Sequence, residues 1–167
     1  LKTIVPNMAK SYAWNDDFTE LTIVLRQGHK WSDGQPFTTE DIVFWYEDIV
    51  LNTELYPNPP SIWVYGGEPM KVEAVDEVTV KFMFAAPAPA FTTLLATTYT
   101  HEWAPKHYLM DKHIKYNPNA NEEAIAEGFE SWAKRFIPTY YSDWEDANHI
   151  YGLPKLEAWI KIDETPE

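Results

Sequence analysis

Apolar and polar positions alternate after Glu20: Leu21, Ile23 and Leu25 share one face of a strand, and Thr22, Val24 and Arg26 share the other. Before them, Tyr12-Ala13-Trp14 leads into Asn15-Asp16-Asp17, whose side chains favour a turn. Residues Ser11 to Arg26 therefore read as a hairpin buried mainly on one side. A second hairpin is expected from Val72 to Phe84, with Asp76-Glu77 at its turn and Val80, Phe82 and Phe84 as its inward row.

Between the hairpins the period changes. Ile42, Trp45, Tyr46 and Ile49 fall at helical spacing, and Val43, Phe44 and Val50 widen the apolar surface beyond one stripe. Thr38-Thr39-Glu40-Asp41 supplies a capping oxygen and acidic residues for the start of this helix. A short helix is expected from Ala88 to Thr98, with Pro89 near its start and Phe91, Leu94 and Leu95 inward. A longer one is expected from Asn121 to Ile137. There Ile125, Phe129, Trp132 and Phe136 form a stripe, Glu122 and Glu123 occupy the first turn, Lys134 and Arg135 the last, and Pro138 stops the helix. Gly128 inside it costs about 1 kcal/mol relative to alanine. The segment from Leu156 to Ile162 reads as a strand. Hairpins mixed with separate helices give an α+β class: a mainly antiparallel sheet with covering helices and few or no parallel strands.

Composition narrows the function. The chain has 167 residues, suits a single domain over 1–167, and at 45% hydrophobic and 16% aromatic can build a core. Its 26 acidic against 13 basic residues give a net charge of −13, which repels nucleic-acid backbones and anionic lipid. The absence of cysteine excludes disulfides, thiolate zinc sites and cysteine nucleophiles. No apolar run approaches the roughly 20 residues that span a bilayer. The beginning, Leu1-Lys2-Thr3-Ile4-Val5-Pro6, has neither an initiator methionine nor a signal core, and the end follows apolar residues directly; both lead to the expectation of an excised piece.

Candidate chemistry is sparse. His101, His107 and His113 recur every six residues, which is wrong for one helical face of metal ligands. His101-Glu102 lacks the second histidine of a metalloprotease helix, and Asp143, Glu145 and Asp146 read as a solvated acidic loop rather than a calcium loop. No nucleophile elbow, phosphate-cradling loop or dinucleotide fingerprint occurs, so neither an enzyme nor a cofactor is expected. Asn52 to Gly67 is a proline- and glycine-rich excursion that carries Tyr56, Trp63 and Tyr65. These aromatics can meet a peptide side chain or a sugar ring, and equally can pack on their own domain.

The most ordered stretch runs Leu25-Arg26-Gln27-Gly28-His29-Lys30-Trp31-Ser32-Asp33-Gly34-Gln35-Pro36-Phe37-Thr38-Thr39-Glu40-Asp41. Read from its residues, it is a rigid connector in which Gly34 permits a positive φ, Pro36 limits the chain and Trp31 faces solvent or covers the sheet. It resembles family 5 extracellular solute-binding proteins of ABC transporters, the oligopeptide- and dipeptide-binding type. Val72-Glu73-Ala74-Val75-Asp76, Phe84-Ala85-Ala86-Pro87-Ala88-Pro89-Ala90-Phe91 and Ala104-Pro105-Lys106-His107-Tyr108-Leu109 carry the resemblance further. It implies a two-lobed periplasmic-binding-protein-like class II fold of which this chain is the additional subdomain of the first lobe. It also implies an extracellular or periplasmic location, secreted or lipid-anchored, with an oligopeptide ligand or alternatively an oligosaccharide, and a membrane permease as partner. A standalone carbohydrate- or protein-interaction module is the reading from another class. Trp31, Asp33, Gly34, Pro36, Thr38 and Asp41 are the structural signature, and Trp31 joins Tyr56, Trp63 and Tyr65 as a candidate for ligand contact.

Overall fold

The computed structural model describes residues 4, 6–97, 103–141 and 153–156. The chain groups into two compact units: Leu1–Gln27 with Thr38–Lys106, and Gly28–Phe37 with His107–Glu167.

In the first unit, β1 (Ala9–Trp14) and β2 (Glu20–Leu25) form the first hairpin, and β5 (Lys71–Ala74) and β6 (Thr79–Met83) the second. The sheet has the order β1-β2-β6-β5, antiparallel throughout, as the two alternating patterns predict. Its centre is the β2–β6 pair, which sets Leu21 opposite Phe82 and Ile23 opposite Val80. Val80, Phe82 and Phe84 are all buried, so the predicted inward row is correct. Asp76 makes the second turn by accepting from the Val78 and Thr79 amides, both at 2.8 Å.

The Pro-rich excursion is not irregular throughout. After a 3₁₀ turn at Ser61–Trp63, β3 (Val64–Tyr65) and β4 (Glu68–Pro69) form a small hairpin of their own. Gly66 and Gly67, with φ +63 and +85, make its turn. A Cβ at Gly66 would lie 3.1 Å from that of Ala86, so close approach also requires glycine there.

Helix α1 (Thr39–Val43) starts where Thr38 and Asp41 predict, but continues as a π-helix over Phe44–Val50. The wider turn is visible in the Leu51 N–H, which donates to the Tyr46 carbonyl at 3.0 Å. This widening buries Phe44, Trp45, Tyr46, Asp48, Ile49 and Val50, and exposes Glu47. An α-helical stripe alone does not cover so many consecutive positions. Helix α2 (Phe91–Thr97) buries Phe91 against Phe82 and Phe84, at ring separations of 5.3 and 4.8 Å. Burying a phenylalanine in this way is worth about 1.5–3 kcal/mol.

In the second unit, α3 (Lys106–Leu109, with Lys106 assigned to the first) leads through a 3₁₀ turn to α4 (Ala120–Ala126) and α5 (Trp132–Tyr141). The single helix expected from Asn121 to Ile137 is therefore two. Gly128, at φ +93, ends α4: its N–H donates to Ile125 O at 3.0 Å and that of Phe129 to Ala124 O at 2.9 Å, the paired bonds of a Schellman cap. The break divides the stripe, leaving Ile125 and Phe129 exposed while Trp132 and Phe136 are buried. Arg135 consequently lies near the start of α5, where it bridges Glu127 at 3.0 Å and Glu123 at 3.6 Å. Pro138 lies inside α5 rather than beyond it. Thr139, next to it, donates its hydroxyl back to Arg135 O at 2.8 Å, a bond that tends to bend a helix. Of the strand expected from Leu156 to Ile162, only Leu156 is among the described residues.

Candidate functional site

The signature run divides between the units, and each part is built from local bonds. In the second unit Lys30 bridges Pro36 antiparallel, and the turn between them closes through Trp31 N–H to Gln35 O at 2.8 Å and Gly34 N–H to Trp31 O at 2.9 Å. Gly34 has φ +88, as the Asp-Gly pair predicts, and no atom lies within 4 Å of where its Cβ would be. Backbone conformation alone therefore calls for glycine. Asp33 supports the turn twice: Oδ1 accepts from the Gln35 amide at 3.0 Å, and Oδ2 pairs with His107 Nε2 at 2.7 Å. Burial acts to raise the Asp33 carboxyl, but the Gln35 amide and His107 outweigh it and hold the group below its ordinary value. Ser32 adds a reciprocal pair with Lys155, at 2.8 and 3.0 Å.

Trp31 is 4% exposed and packs edge-on against Phe37 at 5.6 Å and near His107 at 6.4 Å. Of the two placements open to it, solvent-facing or covering, the ring takes a covered one within its own unit.

In the first unit Thr38 is the helix N-cap, in extended conformation, and its N–H donates to Asp41 Oδ2 at 2.9 Å. Asp41 is buried, and its Oδ1 accepts from the Lys106 amide at 3.0 Å. Glu40 adds an ion pair to Lys106 Nζ at 2.7 Å. Thr39 is fully buried, and ties the helix start to the second hairpin by its N–H to Glu77 O at 3.1 Å and its hydroxyl to Asp76 O. One short stretch thus fastens a helix terminus, a hairpin turn and Lys106 within the first unit.

The other aromatic candidates belong to the first unit. Trp63 is 4% exposed, held edge-on by Trp45 at 5.2 Å and Phe91 at 6.3 Å. Trp103 continues the series against Trp45 at 5.6 Å. As with Trp31, packing occupies the Trp63 faces. Tyr65 is half-buried, edge-on to Phe84 at 4.8 Å, and burial pushes its phenol above the ordinary range. Tyr56 is half-buried in the proline-rich loop. The structure brings Trp63 and Tyr65 together around Phe91. Tyr46, which the sequence places on the apolar helical stripe, is buried with its hydroxyl donating to Met70 O at 2.6 Å, and burial raises its phenol strongly.

The histidines separate. His107 pairs with Asp33, whereas His113 is 1% exposed among Trp132, Phe136 and Tyr116. Its Nδ1 accepts from the Lys115 amide at 3.2 Å. His101, Glu102, Asp143, Glu145 and Asp146 lie outside the described residues. Among the described residues no group of three or more His, Cys, Asp or Glu could hold a metal, and no helix is long and apolar enough to cross a membrane.

Comparison with known proteins agrees with this architecture. The oligopeptide-binding protein OppA superposes with a TM-score of 0.79 at 37% identity, over 97% of this chain and 24% of its own. The periplasmic binding protein MelB of Agrobacterium fabrum C58, solved in complex with stachyose, superposes at 0.60 with 31% identity, over 79% of this chain and 19% of its own. The periplasmic alpha-galactoside-binding protein of Rhizobium meliloti (strain 1021) is 32% identical over 98% of this chain and 21% of its own length. All three are named as binding proteins, and the chain spans about a fifth to a quarter of their lengths. The family described as bacterial extracellular solute-binding proteins, family 5 Middle, matches residues 3–144, and this chain belongs to that family.

Proposed function

We propose that this chain is a segment, the additional subdomain of the first lobe, of a longer receptor that captures oligopeptides outside the cytoplasmic membrane and delivers them to an ABC permease without chemical turnover. The observation that carries this reading is the likeness to the oligopeptide-binding protein OppA over nearly the whole chain. Capture works by population shift: a ligand that bridges two lobes stabilises the closed form, and the permease recognises that form. A segment of one lobe does not close, so tight binding belongs to the full-length protein. Tyr56 and Tyr65 are the candidates retained for ligand contact, with Trp31 and Trp63 as the packing that supports their surroundings.

A second reading, oligosaccharide capture, is favoured by two relatives: one named for alpha-galactosides and one solved with stachyose. Calorimetric titration of the full-length protein with oligopeptides and with alpha-galactosides separates the two. Heat with peptides is expected. Heat with sugars alone replaces the first reading by the second, and turnover of either ligand refutes both.

A further inference from the structure

The turn joining β1 to β2 holds an aromatic side chain where glycine would sit without strain. Phe18 has φ +57, in the left-handed region that bulky L residues avoid. The surrounding bonds fix it there. Asn15 Oδ1 accepts from the Thr19 and Glu20 amides, each at 2.9 Å, and the Thr19 hydroxyl donates to Asp17 Oδ1 at 2.6 Å. The Phe18 N–H donates to Asn15 O at 3.3 Å, and its carbonyl accepts from Ala88 N–H at 2.9 Å. The ring carried by this strained backbone is nonetheless 43% exposed. It stands 5.8 Å from the half-buried Trp14 ring at a tilt of 53°, and Trp14 backs onto the core ring of Phe84 at 5.7 Å. The turn's hydrogen bonds hold the strained backbone, and the ring covers only part of its surface against Trp14.

The chemistry around the ring points to its occupant. Asp16 and Asp17 are both exposed, and among the described residues neither pairs with a cation. Lys81, across the sheet on β6, is already engaged by Glu20 at 3.0 Å. Hydrogen bonds from Thr19 hold Asp17 below its ordinary value, so it stays charged. A turn that carries two tilted aromatic rings and two exposed carboxylates has the groups that a guanidinium or ammonium ion favours: ring faces attract the cation and a carboxylate accepts its hydrogen bonds. The same carboxylates repel an anionic lipid surface, and a second copy brings a further net charge of −13.

We propose that the β1–β2 hairpin tip, with Phe18 set against Trp14 and flanked by Asp16 and Asp17, docks a basic side chain, arginine foremost, on the extracellular face of the membrane permease. This rests on the delivery reading above and names the surface that serves it.

The test titrates the full-length protein onto its purified permease in nanodiscs at low and physiological salt. The unsubstituted protein is expected to dock, less tightly as salt rises. Phe18→Gly removes the ring and relieves the backbone, so its thermal midpoint is held while docking weakens about tenfold. Phe18→Asn also tolerates the left-handed region and gives the same loss. Asp16→Asn, whose side chain takes no part in the turn's hydrogen bonds, flattens the salt dependence. Equal docking by the Phe18→Gly, Phe18→Asn and unsubstituted proteins overturns the hairpin tip as the contact and leaves delivery standing. Failure of the unsubstituted protein to dock overturns delivery itself.

Discussion

The start of α1 and the break between α4 and α5 are both helix termini built on unambiguous local chemistry, yet the first follows its hydrophobic pattern and the second cuts across it. At Thr38–Asp41 the capping residues precede the apolar run, so cap and pattern agree on where the helix begins. At Gly128 an apolar stripe at helical spacing continues through a residue with φ +93, and the Schellman bonds end the helix inside the stripe. Where a periodic pattern conflicts with a backbone position that favours glycine, the backbone decides and the pattern loses its outer members, here Ile125 and Phe129.

That contrast can be broken residue by residue. Phe136, fully buried beside His113 and Trp132, should cost most: Phe136→Ala is expected to destabilise by about 4 kcal/mol in urea unfolding. Asp41→Ala removes a buried acceptor from both the Thr38 and Lys106 amides and is expected to cost about 3 kcal/mol in the same measurement. Gly128→Ala and Gly34→Ala should each cost about 1 kcal/mol. Both positions have positive φ and room for a Cβ, so the backbone term is isolated and should be alike at the two sites.

The first hairpins and the α1 cap were legible because strand alternation and capping chemistry act over a few residues. Other features were not, each for a physical reason. The π-helical continuation of α1 uses residues that suit an α-helix equally well, and the packing of Trp45 against Trp63 and Trp103 involves partners far along the chain. Pro138 inside α5 defeats a rule that holds for isolated helices, where no tertiary packing offsets the lost bond. In the candidate site, aromatic residue type announced the right loop but not which rings are covered: Trp63 is buried and Tyr65 half-buried two positions away. The Asp33–His107 and Asp41–Lys106 links span 74 and 65 residues, beyond any local pattern.

Smaller effects sharpen the same comparison. Ile125→Ala, on the exposed remnant of the stripe, should change stability by no more than about 0.5 kcal/mol, in contrast to Phe136 eleven positions on. The second hairpin supplies a pH signature. Hydrogen bonds from the Val78 amide and from Thr79 depress the Asp76 carboxyl below its ordinary value of 3.8. A depressed folded-state value contributes stability that is present above pH 3.8 and is lost as pH falls through the folded value. Asp76→Asn should therefore reduce the slope of acid destabilisation below that pH, read from thermal unfolding at stepped pH.

Capture by closure is tested most directly by small-angle scattering from the full-length protein, without ligand and then with the peptide that produces heat in calorimetry. A fall in the radius of gyration at saturating peptide is the expected result. An unchanged radius with the peptide demonstrably bound contradicts a receptor whose lobes close on their cargo.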